Sequence, residues 1–176
     1  MTLREQNTLP SLRILDLHGQ GRSWSAGPSS QWLLLVLMKT SCGACKTALP
    51  FIERIWQRFS DSITVWSGSQ STAERTSAFV ERYGCTFPFF LDQDFRVSKL
   101  VDPVGVPAVL LFGSDGKCLE YHEGFGRDSL EHLSARLAVA RRERAAPLFT
   151  EEDTAPPFRP ACESSHRLDF GGDEEP

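Results

Sequence analysis

One stretch constrains this chain more than any other: the apolar run Trp32-Leu33-Leu34-Leu35-Val36-Leu37-Met38, which delivers Cys42-Gly43-Ala44-Cys45 to the start of a helical pattern. An apolar run without alternation suits a strand buried on both faces, and such strands belong to α/β proteins whose sheets are covered by helices. A strand that ends in a short polar turn leaves Cys42 at a helix N-terminus, where unpaired backbone N–H groups and the helix dipole favour the thiolate. Cys45 then lies one turn further in. This spacing lets a Cys42 thiolate attack a disulfide and Cys45 resolve the mixed disulfide, leaving an intramolecular bond behind.

The remaining elements are read around that stretch. Leu12 to Leu17 runs into the turn cluster His18-Gly19-Gln20-Gly21 and on to Ser23-Trp24-Ser25, which predicts a small N-terminal β-hairpin. After Cys45, Leu49, Ile52, Ile55, Trp56 and Phe59 form one apolar helical stripe with Pro50 inside it, a position expected to kink the helix. Ile63 to Trp66 is a second strand, parallel to the first. A helix follows to Tyr83, with N-cap candidates between Ser69 and Glu74 and Gly84 as its stop.

Phe87-Pro88-Phe89-Phe90-Leu91 suits an edge strand, and Asp94 to Val101 a short helix. Val106-Pro107 introduces Ala108 to Phe112, which Asp115-Gly116 turns into an antiparallel strand at Lys117 to Tyr121. Asp128 is expected to cap a last helix, with Leu130, Leu133, Leu137 and Val139 among its apolar positions. The expected organisation is a flexible N-terminus over residues 1–11, one domain over 12–142, and a disordered proline-rich acidic tail over 143–176.

Composition narrows the function. A formal net charge of −4 gives no electrostatic footprint for nucleic acid. The run from Trp32 to Met38 falls far short of the roughly 20 apolar residues that span a bilayer. The first ten residues lack the apolar core of a secretory leader, so a cytoplasmic address is expected. Five cysteines with a single Cys-x-x-Cys do not form a secreted disulfide framework, and no second ligand pair completes a zinc site. No metal or cofactor is expected.

The order strand, Cys-x-x-Cys, proline-bearing helix, strand, helix, Val-Pro, hairpin, helix resembles the thioredoxin fold over Leu12 to Ala140. Three features carry the resemblance: Cys42-Gly43-Ala44-Cys45, Pro50 eight residues after the first cysteine, and Val106-Pro107 before the hairpin. The N-terminal hairpin and the β/α insertion around Tyr83 to Asp92 are more similar to TlpA-type and peroxiredoxin-like (AhpC/TSA) redoxins. The resemblance implies an α/β thioredoxin fold with a central mixed sheet flanked by helices. It implies a thiol-disulfide oxidoreductase in which Cys42 is the nucleophile and Cys45 the resolving thiol.

By the same resemblance Pro107 is cis, and the Val106 backbone is free to pair with an extended substrate peptide. Thr40 and Ser41 offer hydroxyls beside the dithiol and complete the substrate-binding set with Val106 and Pro107. Partners would be a disulfide-containing or dithiol protein, or a small thiol. Ser41 and Ala44 stand where thioredoxins carry tryptophan and proline, and Val36 stands in place of their buried aspartate. A peroxiredoxin needs Thr or Ser three residues before its peroxidatic cysteine and Pro seven before it; Lys39 and Leu35 occupy those positions. A thiol peroxidase is therefore the second reading, and a non-catalytic peptide-binding module the third.

Three further cysteines need roles. Cys85 and Cys118 lie in or beside apolar segments and are expected to pack as small hydrophobes. Cys162, in the tail, is a possible accessory thiol: a second resolving group or an inhibitory cap for Cys42, against the plainer reading of an incidental free thiol.

Overall fold

The computed structural model describes residues 7–168. The chain begins with the expected hairpin, β1 (Ser11–Leu15) against β2 (Gly21–Ser25), in which Leu12 pairs with Trp24. Then come β3 (Trp32–Met38), α1 (Gly43–Phe59), β4 (Ile63–Ser69), α2 (Ala73–Tyr83), β5 (Phe89–Leu91) and α3 (Arg96–Val101). The second half carries β6 (Gly105–Val106), β7 (Ala108–Phe112), β8 (Cys118–Glu123), β9 (Phe125–Gly126) and α4 (Arg127–Ala140). Two short strands, β10 (Phe158–Arg159) and β11 (Cys162–Glu163), and a single 3-10 turn at Ser165–Arg167 follow in the tail.

The central sheet is mixed, five strands in the order β5-β4-β3-β7-β8. β3 lies at its centre, parallel to β4 and antiparallel to β7. Leu33 to Met38 are all fully buried, which is what a strand without hydrophilic alternation demands. β5 is one of the two edge strands, parallel to β4, and Pro88 precedes it where no ladder hydrogen bond is lost. Asp16 bridges to Phe90 and docks the hairpin on that edge.

α1 turns Leu49, Ile52, Ile55 and Phe59 into the core, each without solvent exposure, while Trp56 is half-buried on the flank of the stripe. Each such side chain contributes about 1.5–3 kcal/mol over leaving it exposed. This packing holds the N-terminus of α1 in a fixed place at the end of β3. α2 is capped by Thr72, whose hydroxyl accepts from Arg75 N, and is closed by Gly84 in the left-handed region at φ 63°.

The structure departs from the sequence expectations at four places. Asp128 sits in the first turn of α4, and Gly126 is its N-cap. Val139 is 69% exposed, because it lies two residues, or about 200°, from the buried Leu137. The tail is the larger difference. Instead of being disordered from residue 143, it packs along the fold as far as Leu168.

Leu148 is fully buried, and Phe149 packs on Phe51 at 4.4 Å between ring centroids with the rings tilted by 43°. Arg54 makes a two-pronged ion pair with Asp153 at 2.8 and 3.0 Å. β10 pairs with β9, and β11 with β6. These contacts use single apolar anchors and backbone edges, so no hydrophobic period announces them. The expected flexibility of residues 1–11 meets a similar outcome at its inner end: Leu9 is buried, and Thr8 bridges to Lys117. Residues 1–6 and 169–176 lie outside the described residues.

Candidate active site

β3 ends at Met38, and the turn Lys39-Thr40-Ser41 sets Cys42 as the N-cap of α1 with extended backbone angles, φ −74° and ψ 121°. Cys45 lies in the first helical turn. Both are covered, Cys42 at 1% and Cys45 at 0% exposure. The turn is fixed from the neighbouring strand: Ser71 Oγ accepts from Thr40 N and from Thr40 Oγ1, each at 3.0 Å. Ser69 Oγ, 2.8 Å from Thr76 Oγ1, in turn accepts from Ser71 N. Thr40 thus faces Ser71, while Ser41 is on the surface beside Cys42.

Val106 and Pro107 come from the other side of the sheet, with a cis peptide bond between them. The Cys42 sulfur lies 3.3 Å from Val106 O, a hydrogen bond it donates only while protonated, so the backbone before Pro107 faces the first cysteine directly. Four of the residues singled out in the sequence, Cys42, Cys45, Val106 and Pro107, are therefore brought together.

Cys162 joins them. β11 runs antiparallel to β6 with Cys162 opposite Val106 and Glu163 opposite Gly105. Nothing in its spacing from Cys42 indicates this approach; the only signal was a cysteine in a tail otherwise poor in chemistry.

The electrostatics follow from this arrangement. Hydrogen bonding from the Cys45 thiol, and then from the Cys162 thiol, holds the Cys42 thiol down at about 5, against burial that would raise it. The backbone amides of Cys45 and Cys162 add to that effect. Cys45 moves the other way: burial, its hydrogen bond to Cys42 and the Cys42 charge keep it protonated. Cys162 is raised by burial and by the same interaction with Cys42, while the Lys39 charge and the Ala44 N–H oppose the rise. The site thus holds one thiolate and two proton-bearing thiols. Cys85 is pushed up to about 12 by burial and packs as an apolar residue. Among the described residues no cluster of metal-ligating side chains is found.

A dithiol at the start of a helix, facing a cis-proline edge on a mixed sheet, defines the thioredoxin-fold class. Residues 6–120 match the AhpC/TSA family, and the chain belongs to it. The thiol-disulfide oxidoreductase ResA of Halalkalibacterium halodurans is 24% identical over 119 residues, 65% of this chain and 60% of that protein. This chain thus spans less than two thirds of that relative's length.

StoA of Bacillus subtilis superposes with a TM-score of 0.60 at 20% identity, covering 72% of this chain and 96% of that one. A secreted disulfide oxidoreductase of Mycobacterium tuberculosis gives 0.59 at 19% identity, covering 77% and 98%. These likenesses establish the fold. Among the described residues no helix is long and apolar enough to cross a membrane.

Proposed function

We propose that the protein is a thiol-disulfide oxidoreductase acting on a protein disulfide or dithiol, with Cys42 as nucleophile and Cys45 as resolving thiol. The observation that carries this reading is the division of labour in the dithiol: Cys42, the N-cap of α1, is held low at about 5, while the fully buried Cys45 keeps its proton. In the reductive direction the Cys42 thiolate attacks one sulfur of the target disulfide, whose other sulfur leaves with the electron pair. Cys45 then gives up its proton and attacks Cys42 Sγ, the target's second sulfur leaves as a thiol, and a Cys42–Cys45 disulfide remains. A dithiol protein or small thiol returns two electrons and two protons. No cofactor enters this cycle.

Val106 and Pro107 form the substrate edge in this account, with the Val106 backbone as the pairing surface for an extended peptide. Ser41 flanks that surface, and Thr40 positions the turn through Ser71. The relatives' names support a disulfide-exchange role, and the ResA match supports a protein partner in general. A thiol peroxidase is disfavoured by Lys39 and Leu35 at the positions where peroxide would need a hydroxyl and a proline. The fold does not decide the compartment, since a secreted protein of Mycobacterium tuberculosis shares it.

Turnover separates these readings. With dithiothreitol as reductant, the chain is expected to catalyse reduction of a disulfide-linked peptide and to consume hydrogen peroxide no faster than a small thiol of equal ionisation. Rapid peroxide consumption without disulfide reduction would overturn the proposal.

A further inference from the structure

The edge that an extended target would need is already taken by the chain's own tail. β11 forms a strand on β6 with Cys162 opposite Val106, the residue whose carbonyl oxygen lies 3.3 Å from the Cys42 sulfur. The fit is built from both sides. A Cβ on Gly105 would stand 2.5 Å from the Ala161 Cβ, and one on Gly124 would stand 2.7 Å from Arg159 O and 2.9 Å from Ala161 N. Glycine at these two positions leaves the space that Arg159 to Cys162 fill.

Beyond β11 the tail is anchored in the interior. Ser164 is fully buried; its hydroxyl accepts from Gln70 Nε2 at 2.7 Å, and Ser165 N donates to Gln70 Oε1 at 3.0 Å. The same Gln70 amide donates to Ser98 Oγ at 2.8 Å, which ties the tail to the Asp92–Ser98 cap of α3. Arg167 Nε donates to Pro103 O at 2.8 Å, and the His166 ring lies between Ser164 Oγ at 2.7 Å and Asp102 Oδ1 at 3.2 Å. Burying a polar network of this kind is unfavourable unless its groups are paired, so these bonds fix one register of the tail. That register sets the Cys162 backbone amide and thiol against the Cys42 sulfur, and the Cys162 sulfur against the Ala44 N–H at the start of α1.

From this placement we infer that Cys162 is a third redox thiol, an in-chain substrate of the dithiol that exchanges with Cys42 and fastens the tail across the Val106 edge in the oxidised protein. The inference rests on the proposed oxidoreductase reading. The step is an isomerisation. Starting from the Cys42–Cys45 disulfide, Cys162 gives its proton to solvent and its sulfur attacks Cys42 Sγ. The Cys42–Cys45 bond breaks, and Cys45 leaves with the electron pair and takes up a proton. The products are a Cys42–Cys162 disulfide and a Cys45 thiol, with no change in electron count and no external oxidant. Attack by Cys45 on Cys42 reverses the step and frees the tail for a target.

The test uses the full chain carrying Cys45→Ser, with oxidised glutathione as probe. Cys42 attacks the glutathione disulfide and releases one reduced glutathione; Cys162 then displaces the second and leaves a Cys42–Cys162 bond. The expected result is loss of two free thiols per chain, no retained glutathione, and a cross-linked peptide pair containing residues 42 and 162 by mass spectrometry. Adding Cys162→Ser is expected to leave glutathione on Cys42. Retention of glutathione on Cys42 with Cys162 still free in the Cys45→Ser chain would overturn the inference.

Unaltered chain oxidised in parallel distinguishes the two levels of failure. A Cys42–Cys45 bond there, with no 42–162 pair in either protein, removes only the third thiol. Absence of any Cys42 disulfide in both proteins removes the oxidoreductase reading as well. Should Cys45→Ser not fold, acid quenching of the oxidised unaltered chain is expected to capture the 42–162 pair as a minor species, and its absence would count against the inference.

Discussion

Replacing Cys42 by serine is expected to abolish catalysed reduction of a disulfide-linked peptide, leaving only the rate of the reductant itself. A hydroxyl is not ionised near neutral pH, and no other thiol of the site can take its place as nucleophile. Burial keeps Cys45 protonated and raises Cys162, and both effects persist when Cys42 is replaced. The unaltered chain should also show where its nucleophile ionises. Alkylation of Cys42 by iodoacetamide is expected to rise with pH through about 5 and then level, whereas an ordinary cysteine rises through about 8.5. Because the folded value is depressed, Cys42 contributes stability that is full above about 8.5 and is lost as pH falls through 5. A Cys42→Ser protein that retained turnover, or a Cys42 that ionised near 8.5, would contradict this account of the site.

Removing residues 158–176 should act in the opposite direction. The cut spares Leu148, Phe149 and Asp153, which pack on α1 and the helix–strand corner, and it removes β10 and β11 from the substrate edge. Phe158 is itself largely exposed, so no fully buried apolar side chain is lost, while Gln70 loses its Ser164 and Ser165 partners and opens to water. A tethered competitor occupies its site at an effective concentration in the millimolar range, and a target must bind the fraction of molecules in which that competitor has left. Reduction of a peptide disulfide is therefore expected to rise by about tenfold or more. A small disulfide that does not need the Val106 backbone should gain much less. Initial rates with the two substrates, on protein shown by circular dichroism to retain its fold, check this. Equal peptide rates with and without the tail would mean that β11 does not guard the edge.

The dithiol and the sheet could be read from the sequence because their physics is local and periodic. Leu33 to Met38 declare a doubly buried strand by lacking polar residues, Asp115-Gly116 declares a hairpin, and Cys42 follows a strand and opens a helix. The cis Val106–Pro107 bond came from the resemblance alone, since nothing in the residues distinguishes it from a trans one.

The tail could not be read in that way. Its proline and acidic composition is that of a disordered segment, and its attachment depends on Gln70, Gly105 and Gly124, residues from three distant places whose common purpose exists only in three dimensions. Thr40 is a smaller case of the same kind. Its position next to the dithiol suggested substrate contact, while its hydroxyl is spent on Ser71.

The measurement that bears most directly on the central claim is a redox titration of the unaltered chain in graded mixtures of reduced and oxidised dithiothreitol, with free thiols trapped by alkylation and located by mass spectrometry. The account predicts a reversible two-electron transition confined to Cys42, Cys45 and Cys162, with Cys85 and Cys118 reduced throughout. Thiols at Cys42 and Cys45 that stayed reduced across the whole range would contradict it.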